Sequence, residues 1–193
     1  HHSFTNTSLH ANSAGSLYAS GTFDVTQEFL TAKHRYCSGT GLPWETAFGQ
    51  MLDQLLFPDA GGITLNHPTW SKLPFKQVCQ MLDFDRRVLG IEVFNNTCTL
   101  GYGDPNRGWA YQLWDDVLAT GRKCFGFFTP DHAIGKGQNI LLVPEFNERE
   151  CLRAYRQGAF YGAVEGTGLR FSNITLTGQT LFVAINRRGT IRL

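Results

Sequence analysis

Three apolar runs, each closed by a polar cluster, organise the middle of the chain. Gly61-Gly62-Ile63-Thr64-Leu65 runs into Asn66-His67-Pro68. Val88-Leu89-Gly90-Ile91-Glu92-Val93-Phe94 runs into Asn95-Asn96. Lys123-Cys124-Phe125-Gly126-Phe127-Phe128 runs into Thr129-Pro130-Asp131-His132. Apolar residues at helical spacing fill the gaps: Phe75, Val78, Cys79 and Leu82, then Trp109, Leu113, Val117 and Leu118, closed by Gly121. An earlier helix opens at Pro43 and buries Trp44, Phe48, Met51, Leu52 and Leu55. The pattern predicts strands at 63–65, 88–94 and 124–128, linked by helices. In such a series the strand tips gather at one end, where α/β proteins place their chemistry. Pro68 predicts an extended His67 at its tip.

The flanks are less regular. Residues 3–20 are polar, with a strand expected at 7–11. A helix is expected at 26–33 and a strand at 139–143. Asn147 reads as an N-cap with Glu150 as its capping-box partner, and that helix stops at Gly158. The pattern then changes to short strands at 160–164, 169–176, 181–186 and 190–193, joined at Thr177-Gly178-Gln179 and Arg188-Gly189. The expected organisation is an α/β unit over 1–165 and a small antiparallel β layer over 166–193.

Composition narrows the function. The net charge of +1 gives no bulk attraction for nucleic acid, and 15 Phe with 4 Trp point to an aromatic core. No apolar stretch is long enough to span a membrane, and the start lacks a signal-peptide pattern. Cys37, Cys79, Cys98, Cys124 and Cys151 are scattered and odd in number, which fits reduced thiols in a cytoplasm. Each reads as a small buried hydrophobe. His34 reads as structural. His1-His2 at the start reads either as a tag remnant or as a cut inside a longer protein.

The candidate chemistry sits at the tips. His67, Asp131 and His132 supply imidazole and carboxylate, the donors that Zn²⁺, Mn²⁺ or Fe²⁺ takes. Three such ligands hold one catalytic metal with an open position, and His10 is the next donor. Glu92, one charge inside an apolar run, reads either as a carboxylate paired with Arg or Lys or as a group orienting a His ligand. Arg107 and Lys136 lie in loops after candidate strands, as surface charge or as binders of a phosphate or carboxylate. No P-loop, G-x-G-x-x-G or G-x-S-x-G occurs.

These residues resemble the later motifs of the PHP (polymerase and histidinol phosphatase) superfamily. The resemblance is carried by Gly62-Ile63-Thr64-Leu65-Asn66-His67-Pro68, Leu89-Gly90-Ile91-Glu92-Val93-Phe94-Asn95 and Thr129-Pro130-Asp131-His132. It continues through Asn139-Ile140-Leu141-Leu142-Val143-Pro144-Glu145 to Gly158-Ala159-Phe160-Tyr161-Gly162. Leu9-His10-Ala11-Asn12 is similar to an earlier motif of the family. The resemblance implies a distorted (β/α)7 TIM-like barrel, incomplete at the N-terminus. It implies a cluster of Zn, Mn or Fe ions and hydrolysis of a small phosphorylated substrate. His10, His67 and Asp131 match ligand positions. His132 departs from the family's Asp-x-His spacing, and the family's opening His-x-His is absent. With His132, these are the expected metal ligands; Asp131 and His132 are the expected catalytic residues. Arg107, Lys136, Asn95 and Asn66 are expected toward substrate, and Glu92 behind a ligand. The alternative is a degenerate, non-catalytic module that binds metal or ligand. Strand edges left open by a missing first part predict pairing with another chain, a homo-oligomer included, or a rebuilt N-terminal segment.

Overall fold

A computed structural model describes residues 2–18, 39–100, 105–132, 136–164, 168 and 170–186. The expected helix at 26–33, the strand at 190–193, the turn at Arg188-Gly189, His34, Cys37 and the 165/166 boundary lie outside the described residues.

The chain runs β1 (His2–Ser3), β2 (His10–Ala14), α1 (Trp44–Asp53), β3 (Gly62–Asn66), α2 (Phe75–Phe84) and β4 (Val88–Asn95). It continues with α3 (Asn96–Leu100), a 3-10 turn (Pro105–Gly108), α4 (Tyr111–Ala119) and β5 (Phe125–Thr129). Then come β6 (Gln138–Leu141), α5 (Glu148–Gln157), β7 (Phe160–Ala163), β8 (Phe171–Thr177) and β9 (Thr180–Ile185). The expected strands and helices within the described residues form close to their predicted places. The first strand is displaced from 7–11 to His10–Ala14, and the segment after β4 that carries Arg107 contains α3 and the 3-10 turn.

The distorted (β/α)7 barrel is overturned. The main sheet is open and five-stranded, in the order β1-β2-β3-β4-β5. Only β3, β4 and β5 are parallel, while β1 and β2 join antiparallel. The physical reason lies at both edges. β1 is two residues long and offers little ladder to extend. Beyond β5, β6 pairs with β7 instead of continuing the sheet. The Asn139 side chain on β6 takes the place of a strand, accepting from Phe128 N–H and donating to Phe128 O, each at 3.0 Å.

Local chemistry explains the elements. Asn6 Oδ1 accepts the first amide of α1, from Trp44, at 2.9 Å. Asn147 Oδ1 caps α5 by accepting from Glu150 N–H at 2.9 Å. Gly158 ends that helix with φ of 75°, the left-handed conformation that favours glycine. Ile63, Leu65, Ile91 and Val93 alternate along β3 and β4 onto a core shared with Phe48, Met51, Val78, Met81 and Val117. Each such burial contributes roughly 1.5–3 kcal/mol. The opposite face carries Thr64, Glu92 and Phe127, and faces Tyr155 of α5 and Phe160 of β7. The Phe127 ring lies 4.7 Å from Tyr155 and 4.9 Å from Phe160. β8 and β9 form a separate hairpin touching the rest through Phe171, whose ring meets Tyr161 at 4.6 Å. Among the described residues no helix is long and apolar enough to cross a membrane.

Candidate metal centre

The parallel strands place their tips together, and β2 brings His10 to the same end by running the other way. His10 is the register partner of Asn66, the last residue of β3. His67 follows directly, and the two imidazoles meet edge to face at 5.0 Å. The Trp70 ring lies 5.1 Å from His67 and 6.5 Å from His10. Asp131 and His132 follow β5, with His132 Nε2 3.4 Å from Asp131 Oδ1. His10, His67, Asp131 and His132 line one cavity of about 70 Å³, together with Trp70, Thr97 and Cys98. All four expected ligands therefore share one cavity, drawn from three separate strand ends.

A set of hydrogen bonds holds these side chains. His67 Nδ1 pairs with Ser71 Oγ at 3.1 Å, which directs Nε2 away from Ser71. Asn95 is fully buried, and its amide donates to Glu92 Oε2 at 3.0 Å and to Asp131 Oδ2 at 3.2 Å. Asn95 Oδ1 accepts from Cys98 N–H at 2.9 Å. Thr129 Oγ1 accepts from Asp131 N–H at 3.0 Å, and Thr97 Oγ1 from His132 N–H at 3.1 Å. Such partners behind a ligand fix its orientation.

The backbone is held in an uncommon conformation here. Among the described non-glycine residues, positive φ occurs at His67 (31°), Lys72 (52°) and Asp131 (54°). Two of the three are candidate ligands, as expected where a fold stores strain at a working site. The extended geometry expected for His67 from Pro68 is corrected. Its N–H donates to Glu92 Oε2 at 2.7 Å and its carbonyl accepts from Ser71 N–H at 3.0 Å. These two contacts override the bias of the following proline.

Glu92 thus grips the backbone of His67, not its ring. Burial pushes its carboxyl up to about 8, against the two hydrogen bonds it accepts. Burial depresses His10 to about 4, aided by the neighbouring His67, and burial also holds His67 below its ordinary value. Neutral imidazole is the form that binds a metal. Burial raises the Cys98 thiol to about 12, the charges of Asp131 and Glu92 adding to it and Arg107 opposing. Arg107 itself does not line the cavity. Lys136 is exposed in the loop after β5, and Asn66 is buried with its side-chain oxygen meeting no hydrogen-bond partner. Cys79, Cys98 and Cys124 are buried free thiols, as expected for small hydrophobes, whereas Cys151 is only half-buried.

Trp70, Ser71 and Thr97 had no assigned role in the sequence. The available signal was position, since each lies within four residues of a polar tip.

The donor set of imidazoles and a carboxylate fits a divalent Zn, Mn or Fe ion. Among the described residues, however, no group of three or more His, Cys, Asp or Glu side chains is already gathered as a bound ion would require. No family model, no curated protein and no solved structure matches the chain. The reading of this site therefore stands on its own geometry.

One consequence concerns acid. The unfolded chain takes up a proton at His10 near 6.5, whereas the folded chain resists it until about 4. Between those values the unfolded state binds more protons, so this contribution to stability is lost as pH falls. Glu92, raised when folded, works in the opposite direction. Comparing thermal unfolding of the wild type with His10→Asn isolates the histidine. The wild type is expected to lose ground to the variant from pH 6.5 down to 4. Parallel curves across that window would contradict the burial of a neutral His10.

Proposed function

We propose that this chain is a metal-dependent phosphoesterase acting on a small phosphorylated substrate. The observation that carries the reading is the convergence of His10, His67, Asp131 and His132 on one cavity. The likeness of the surrounding motifs to the PHP superfamily supports phosphate esters as the substrate class. A divalent ion held there would supply acidity to a water and offset charge on the phosphoryl oxygens. His10, His67 and Asp131 would hold it, with Ser71 on the His67 ring, Asn95 on the Asp131 carboxylate and Thr129 on the Asp131 backbone amide. His132 is 72% exposed beside Asp131, suited either to complete the ligand set or to carry a proton at Nε2. Arg107 and Lys136, which lie outside the lining of this cavity, are the cations proposed to bind the phosphate.

A second reading, a non-catalytic module that binds a metal or ligand weakly, is favoured by one observation. The donors are not already drawn together at metal-binding positions among the described residues.

Elemental analysis of the purified protein, with p-nitrophenyl phosphate as substrate, separates the two. A hydrolase contains or takes up Zn, Mn or Fe and releases p-nitrophenol, loses activity to a chelator and recovers it on adding Mn²⁺ or Zn²⁺. Metal uptake without product leaves the second reading. Neither metal uptake nor product removes both.

A further inference from the structure

A second cavity, about 530 Å³, lies on the face of the sheet opposite the main core. Its walls come from β2, β3, β4, β5, β6 and α5. The volume is that of a pocket for a small organic molecule. Glu92 lines it, although only 4% of that residue is exposed. Both protein hydrogen bonds to the carboxyl, from His67 N–H and Asn95 Nδ2, go to Oε2. Oε1 is left toward the cavity. Among the described residues Oε1 takes no protein hydrogen bond, yet it is not sealed from solvent, so it is open to a partner in the cavity.

The rest of the lining specifies what that is. Asn12 and Gln138 bring amides. Thr64 and Tyr155 bring two hydroxyls bonded to each other. Phe127 and Phe128 bring flat apolar surface. Among the described residues no Lys, Arg or His lines the cavity. A phosphate or carboxylate would find no cation in this lining to offset its own charge. A bare ammonium ion would leave the amide and hydroxyl donors unmatched, since it accepts no hydrogen bond. A ring carrying several hydroxyls matches all of these groups. It gives a hydrogen bond to Glu92 Oε1, exchanges bonds with the amides and hydroxyls, and lays its apolar face on the phenylalanines.

We propose that this cavity is a binding site for an uncharged, hydroxylated ring compound, separate from the metal centre. The site does not depend on the hydrolase reading, because no metal ligand contributes to its walls. It adjoins the metal centre through one residue, as Glu92 also holds the His67 backbone.

Ligand-observed saturation-transfer NMR on the metal-free protein tests the assignment, with myo-inositol, glucose and uridine as probes. Choline and inorganic phosphate serve as charged comparators. At least one ring polyol is expected to receive saturation, and phosphate none. Glu92→Gln is expected to weaken binding by roughly threefold to tenfold, the effect of disturbing one neutral hydrogen bond. Leu141→Trp, which adds bulk to the cavity wall on β6, is expected to abolish the signal. This second variant keeps the test informative if Glu92→Gln fails to fold. Absence of saturation for every polyol, or a signal unchanged in Leu141→Trp, overturns the proposal. Binding of choline in preference to the polyols overturns the ligand class. Failure of the hydrolase reading leaves all of these outcomes unaffected, since no metal or activity enters the measurement.

Discussion

His67→Ala is expected to lower metal affinity by at least ~100-fold and to remove metal-dependent ester hydrolysis, with the fold retained. The magnitude follows from what lesser changes do, since losing even the partner of a ligand costs 10–100-fold in affinity or activity. His67 sits between His10 at 5.0 Å and the Ser71 hydroxyl at 3.1 Å, and its own backbone is clasped by Glu92. Alanine keeps that backbone bond and removes only the imidazole. The structural cost is a small void and one lost side-chain hydrogen bond, of order 1–3 kcal/mol. Titration calorimetry with Zn²⁺ and Mn²⁺, beside a circular-dichroism melt, separates the two effects. A folded variant with unchanged metal uptake and turnover would remove His67 from the site. Asp131→Ala is expected to behave alike, because its carboxylate is the acidic member of the set and is held by Asn95.

Gly90→Ala is expected to be the most damaging single substitution in the sheet, by more than about 4 kcal/mol. Gly90 pairs with Phe125 across β4 and β5. A Cβ there would fall on the backbone carbonyl and amide of Phe125. Backbone at the start of a parallel ladder has no rotamer into which to retreat, so the strands must part there. Against a total stability of about 5–15 kcal/mol, the expected result is a protein recovered largely insoluble. Gly49→Ala provides the control. It lies within α1 with open space where a Cβ would go. Alanine there is expected to stabilise by up to roughly 1 kcal/mol through helix propensity. Thermal melts of both variants check the contrast. A Gly90→Ala protein that melts like the wild type would mean that β4 and β5 are not paired as described.

Much of the site was legible because polar residues at the ends of apolar runs have few places to go. His67, Asp131 and His132 stood at two such ends, and strand–helix–strand order implied that those ends would meet. His10 was harder, since β2 runs antiparallel and no periodicity announces direction. It read as a further donor, the motif likeness matched it to a ligand position, and the structure brings it to the same cavity. Ser71 and Thr97 were not legible as partners, because a hydroxyl a few residues past a strand carries no signal until the turn is folded. The geometry of His67 was misread. Pro68 acts locally, but the Glu92 carboxyl that reverses the outcome is 25 residues away in sequence.

The sequence by itself determined the elements: three parallel strands, the helices between them, the caps at Asn147 and Gly158, and the donors at the tips. These depend on periodicity and capping chemistry within a dozen residues. Tertiary structure alone decided whether the strands close. They do not, because β1 is too short to extend one edge and the Asn139 amide occupies the other. That same openness leaves one oxygen of Glu92 facing a cavity instead of a packed core. Closure and edge pairing are set by contacts between residues far apart in the chain, and no local pattern encodes them.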